Sequence, residues 1–246
     1  MPTDMKLEWI PTALIAIAIV STASILGSSW SETRERHEKI SVTGLAQRDF
    51  TSDVIVWRGS YERKAMVLSQ AYALIKNDAD VIRRYLQERS VDAKEIVFGA
   101  VEINKSFRDV PVGDNIVREF DGYLLTQSVK IESRNVDHIE SVGRQISELL
   151  NMGVELQSQV PLYYYSKLNE LKIDLLAKAS ADGRLRAETI AENSGSTLGK
   201  LYRSDMGTFQ ITAPNSDEQY TWGGAFNTTS RRKTASVTVR MDFLVK

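Results

Sequence analysis

From Trp9 to Ser31 the chain runs 23 residues without a charge. Few structures can absorb such a segment. A helix rises about 1.5 Å per residue, so the run can cross a hydrocarbon core of roughly 30 Å. Ile10, Leu14, Ile15, Ile17, Ile19, Val20, Ile25 and Leu26 supply its large apolar side chains. Together they contribute roughly -2.5 to -5 kcal/mol towards insertion. Pro11 stands where the first turn would begin, a position at which its missing N–H costs little. A cleaved signal peptide is the competing reading, with Gly27-Ser28-Ser29 as its cleavage point. It lacks a basic leader, because Lys6 is offset by Asp4 and Glu8. The expectation is therefore a short tail over residues 1–8 and a transmembrane signal anchor over 9–30. Trp9 and Trp30 flank that anchor as interfacial side chains, and Ile15, Ile17 and Ile19 form its centre. Residues 31–38 alternate acid and base and read as a charged stalk. With so little Lys/Arg bias the default orientation holds. It predicts a single-pass inner-membrane protein whose folded body lies on the periplasmic side.

The remaining composition removes several function classes. Basic and acidic side chains number 31 and 32, for a formal net charge of -1. A nucleic-acid partner is therefore not expected, since phosphate neutralisation needs a basic excess or stripe. The chain has no cysteine, which excludes disulfides, thiolate metal sites and a cysteine nucleophile. With 42% hydrophobic and 26% charged residues, the body after the stalk has enough apolar side chains for a packed core.

Hydrophobic periodicity in that body switches repeatedly between 2 and 3.6. Ile40 and Val42 alternate with polar neighbours as a first strand. Val54–Trp57 is apolar at every position and reads as a central strand. Leu68, Ala71, Tyr72, Ile75, Ala79, Ile82 and Leu86 fall on one face of a long helix. Val97, Val101 and Ile103, then Tyr123, Leu125, Val129 and Ile131, alternate on either side of a turn at residues 111–115, which predicts a hairpin. A second helix buries Ile139, Val142, Ile146 and Leu149 and stops at Asn151-Met152-Gly153. After a short strand near residues 154–160, a third helix carries Leu168, Leu171, Leu175, Ala179 and Ile190 and stops at Asn193-Ser194-Gly195. Strand character returns near residues 198–211. In the last strand Val237, Val239, Met241, Phe243 and Val245 face one way, with Ser236, Thr238, Arg240 and Asp242 facing water. The pattern predicts an α+β domain over residues 39–246, of antiparallel sheets with helices packed on one face, preceded by the single transmembrane helix.

No catalytic, metal-binding or cofactor-binding set emerges, and no enzymatic activity is expected. His37 lies in the stalk and His138 at a helix start beside Asp137, where solvation is the ordinary state. Gly195–Lys200 mimics a phosphate loop, but it ends a helix where such a loop must begin one, and Leu201 replaces the required hydroxyl. Tyr163-Tyr164-Tyr165 reads as a packing cluster, and Arg231-Arg232-Lys233 as a solvated flank. The span 212–233 is a long loop or arm, rich in polar and turn-forming residues yet holding Tyr220, Trp222 and Phe226. Exposed aromatics in so long a loop predict contacts between copies.

Several local sequences resemble the SIMPL-domain family, which includes periplasmic oxidative-stress-defence and immunogenic proteins. They are Ile40-Ser41-Val42-Thr43-Gly44-Leu45-Ala46, the strand from Asp53 to Trp57, Gly122-Tyr123, and the helix exit Gly195-Ser196-Thr197-Leu198-Gly199-Lys200. The family's stretch before the third helix is replaced here by Val160-Pro161-Leu162-Tyr163-Tyr164-Tyr165-Ser166. The resemblance implies an α+β fold, ring- or channel-like homo-oligomers as in some members, a stress-defence role, and no catalytic residues to carry over. The expected function is a non-enzymatic, membrane-anchored envelope protein that self-assembles. The alternative is a monomeric or small-oligomer adaptor that captures an envelope protein or a small ligand.

Overall fold

The computed structural model describes residues 21, 22, 24, 38–219 and 221–246. The anchor residues Trp9, Ile15, Ile17, Ile19 and Trp30, and His37 of the stalk, lie outside them. Among the described residues no helix is long and apolar enough to cross a membrane.

The chain order is β1 (Lys39–Thr51), β2 (Val54–Ala65), α1 (Leu68–Glu88), β3 (Ile96–Phe98), β4 (Glu102–Val112), β5 (Asn115–Ser133), α2 (Val136–Gln145), β6 (Gln157–Ser158), β7 (Leu162–Tyr164), α3 (Leu168–Asn193), β8 (Leu198–Met206), β9 (Gln210–Thr212) and β10 (Arg232–Val245). One sheet runs β3-β5-β2-β6, with β4 also on β5 and β7 also on β2; the other runs β1-β10-β8, with β9 on β10. The first sheet is antiparallel throughout. In the second, Ser41 meets Asp242 and Asp49 meets Thr234, so β1 and β10 also run in opposite directions. The predicted antiparallel α+β class is the observed one.

The described residues form two compact units. The larger holds Gly44–Asp182 and Met206–Val239; the smaller holds the described residues up to Thr43 with Gly183–Asp205 and Arg240–Lys246. Within the smaller unit, Thr197 and Lys246 exchange both backbone hydrogen bonds, at 3.0 and 2.9 Å. Lys39 Nζ sits 3.4 Å from the centre of the Tyr202 ring, a cation–π contact.

The core of the larger unit follows from the register of β2 on β5. Trp57 opposes Ile131, Gly59 opposes Val129, and Arg63 opposes Leu125. Directly opposed residues share a face, so Ile55, Trp57, Tyr61, Leu125, Val129 and Ile131 all point to one side. There they pack on Ala71, Ile75, Ala79 and Ile82 of α1 and on Val136, Ile139 and Val142 of α2. Gly122 marks where this pairing ends. Its φ is +101°, and an added Cβ would lie 2.7 Å from the Ala65 carbonyl oxygen, so only glycine fits. α2 ends at Gln145, and a 3-10 turn, Ile146–Met152, carries the chain on to the expected stop, where Gly153 is left-handed.

Several predicted faces are corrected. Leu68 and Tyr72 of α1 are exposed, and Asp78 and Tyr85 take their places in the buried stripe. Ile190 is exposed, while Ala187 and Ala191 are the buried residues of that turn of α3. Val97 and Ile103 are exposed. In β10, Ser236 is buried: residues 233–237 are covered on both faces, and clean alternation begins only at Thr238.

Asp78 enters the core because Arg63, on the inner face of β2, reaches it. Nε and Nη2 of the guanidinium donate to the two carboxylate oxygens at 2.5 and 3.0 Å. The Asp78 side chain is only 4% exposed. Removing one partner of such a pair strands the other charge. Asp78→Ala should cost about 3–5 kcal/mol in urea unfolding, and pairing it with Arg63→Met should recover most of that loss.

Candidate functional site

The larger unit holds a cleft of about 400 Å³ lined by Trp57, Glu140, Gly143, Arg144, Ser158, Pro161 and Tyr163. Two walls form it. On one side α2 presents Glu140, Gly143 and Arg144, which share a helix face by their spacing of three and four. On the other, Ser158, Pro161 and Tyr163 come from β6, β7 and the link between them. Trp57 forms the floor, its indole N–H donating to Ser158 Oγ at 2.9 Å.

The charges around the cleft are unevenly partnered. Arg231 Nη1 donates to Asp137 at 2.5 Å and to Glu140 at 3.3 Å. Burial, then the neighbouring Glu140 carboxylate, push the Tyr163 hydroxyl's pKa up to about 12. Arg231 holds the Asp137 carboxyl below the usual carboxylate range. Arg144 stands four residues after Glu140, the spacing of a helical ion pair. Yet it forms no ion pair among the described residues, because Glu140 is turned to Arg231. His138 Nε2 is buried with no hydrogen-bond partner among the described residues.

Lys233 differs from expectation. Rather than a solvated flank, it is 2% exposed. Its ammonium donates to Ser52 Oγ at 3.1 Å and to the Tyr163 carbonyl at 2.6 Å. Both acceptors are neutral, so burial goes uncompensated by a carboxylate and lowers the pKa to about 8. Arg231 is also withdrawn from the solvated flank by its two acidic partners. Only Arg232 of the basic triplet is exposed. The tyrosine triplet divides as a packing cluster should. Tyr163 packs against the core, and Tyr165 lies 4.9 Å from Phe50, ring centre to ring centre.

The predicted long loop is ordered onto β9. Ile211 exchanges backbone bonds with Ala225 and Asn227, each at 2.8 Å. The Gln210 amide grips Thr221 O at 2.9 Å and Ala225 N at 2.7 Å. Of the three aromatics expected to contact a partner, Tyr220 lies outside the described residues. Phe226 is about half exposed and bridges to Ile211, while Trp222 is 100% exposed. Trp222 also borders a hollow of about 280 Å³ with Leu45, Thr208, Gln210 and Val237.

A second apolar surface was not singled out from the sequence. Beyond the end of β2 at Ala65, opposite Tyr123, the outer part of β5 has only β4 as a neighbour. On this two-stranded ribbon Phe107, Phe120 and Ile116 lie on one face, with Val112 and Val117 on the other, all exposed. The signal was present in the alternation of residues 107–120, but alternation alone does not tell a covered face from a bare one.

Among the described residues no group of three or more His, Asp or Glu gathers as a metal cage. The fold and its surfaces define a layered antiparallel α+β domain that offers a cleft, an aromatic loop and a bare ribbon. The chain belongs to the SIMPL family, described as proteins of unknown function (DUF541), which matches residues 40–243. No curated protein matched the chain.

The buried lysine gives a pH signature. The folded state releases its proton near 8 and the unfolded chain near 10.5. Between those values the unfolded state binds more protons, so this group's contribution to stability rises with pH, by about 1–3 kcal/mol at most. Urea unfolding across that window should show the rise in the wild type, and Lys233→Met should remove it.

Proposed function

We propose that this protein is a non-enzymatic SIMPL-domain protein, anchored by residues 9–30 in the inner membrane with its folded domain on the periplasmic side, and that it works as a homo-oligomer. The observation that carries self-assembly is the bare ribbon. Two-stranded hairpins are marginally stable in water, and apolar side chains exposed on both faces make this one worse. Ile116 is 73% exposed at its tip. A second copy would cover these side chains. The ribbon's charges need no partner, since Arg108 pairs with Glu119 and Arg118 with Asp109 across its strands. Trp222, with Phe226 and Tyr220 near it in the sequence, supplies a second contact. Anchoring keeps copies in one plane and raises their effective concentration, so weak head-to-tail contacts can close into a ring. A stress-defence role fits the resemblance to periplasmic members of the family.

Light scattering of the full-length protein in detergent tests the assembly. Phe107→Ser with Ile116→Ser should lower the mass towards the monomer, and deletion of Asn215–Thr229 should lower it in part. Mass unchanged in both sinks self-association through these surfaces. For the anchor, Ile17→Asp should shift the protein from the membrane to the soluble fraction. Protease added to spheroplasts should digest a C-terminal tag; a shielded tag would overturn the assigned side.

A further inference from the structure

Helix α2 contains one residue whose identity the packing does not explain. Gly143 lies inside the helix, where glycine is less favourable than alanine by roughly 1 kcal/mol. A Cβ built there would meet only Trp57 Cδ1 and Nε1, both at 3.7 Å, an ordinary contact. The fold therefore tolerates alanine. What glycine leaves is room, because the missing methyl group would stand in the cleft above the indole edge.

The walls around that room say what it can hold. Pro161, Tyr163 and Trp57 supply apolar lining in the same cleft as Gly143. The carboxylates at the rim already have a donor, with Asp137 and Glu140 sharing Arg231. Of the charged side chains that line the cleft, Glu140 and Arg144, only Arg144 lacks an ion-pair partner among the described residues. A cation would find those acceptors already engaged, whereas an anion finds a planar fork of donors. At about 400 Å³ the cleft lies within the range of small-molecule sites.

We infer that the cleft between α2 and the β6–β7 segment binds a small aromatic carboxylate, its ring between Pro161, Tyr163 and Gly143 and its carboxylate on Arg144. Nothing in this site requires self-assembly, because every group named belongs to one copy. Isothermal titration of the full-length protein in detergent with phenylacetate, and with uncharged phenylacetamide, tests it. Phenylacetate should bind with a Kd at or below about 1 mM, and phenylacetamide at least about tenfold more weakly. Arg144→Gln, on an exposed side chain, should weaken phenylacetate by a similar factor and leave phenylacetamide unchanged. Gly143→Ala should raise the melting temperature yet abolish binding of both, which separates lost room from lost folding. Equal binding of the two probes overturns the inference. So does wild-type affinity in either variant, or no heat from phenylacetate at about 10 mM, ten times the expected Kd.

Discussion

The antiparallel register of β2 against β5 is the constraint from which the larger unit follows. Side chains alternate with a period of two, so a slip of one residue would turn Ile55, Trp57, Tyr61, Leu125, Val129 and Ile131 away from the helices together. The same register puts polar groups on the inner face, where they must be matched. Arg63 is met by Asp78, and the Tyr61 hydroxyl donates to Gln127, whose own amide donates to the Gly99 carbonyl. Such matched groups fit only one pairing of strands and one depth of α1, because any other arrangement leaves a buried donor or charge without a partner.

A second set of buried polar contacts determines how the cleft is held. Lys233 joins the β1–β2 turn at Ser52 to β7 at the Tyr163 carbonyl, and the Tyr163 amide donates to Thr228 O at 2.7 Å. Its backbone held at both ends, Tyr163 is fixed in the wall of the cleft that also holds Glu140. Two residues before Lys233, Arg231 reaches the same carboxylate from the entrance to β10. These bonds tie the Tyr163 side of the cleft to the β1–β2 turn and to β10.

Burial is not distributed evenly along the elements. Over its inner half β5 is a central strand, with β2 on one side and β3 and β4 on the other; over its outer half it has β4 alone. Hydrophobic side chains continue into the outer half although the sheet that would cover them does not. Apolar area left in water in this way is the ground on which self-association is proposed. The Gln210 clamp has a related effect on the aromatic loop, fixing its backbone while leaving Trp222 in solvent.

Much of the architecture was legible in the sequence because it rests on local periodicity. The α+β class, the hairpin turned at residues 111–115, the four buried residues Ile139, Val142, Ile146 and Leu149, and the stops at Gly153 and Gly195 all follow from spacing and turn chemistry. Periodicity cannot say what lies across from a face. Asp78 sits on the buried stripe of α1 and looks like an error in the pattern until Arg63 is placed opposite. Lys233 and Ser236 look solvated until the start of β10 is covered on both sides. The cleft was not legible at all, since Trp57, Glu140, Gly143, Arg144 and Tyr163 come from separate elements and only Glu140, Gly143 and Arg144 share a local pattern. Sequence alone thus determined which segments form helices and strands, because backbone geometry repeats over a few residues. Tertiary structure decided which of their faces are dry, charged or bare, because burial depends on residues far away along the chain.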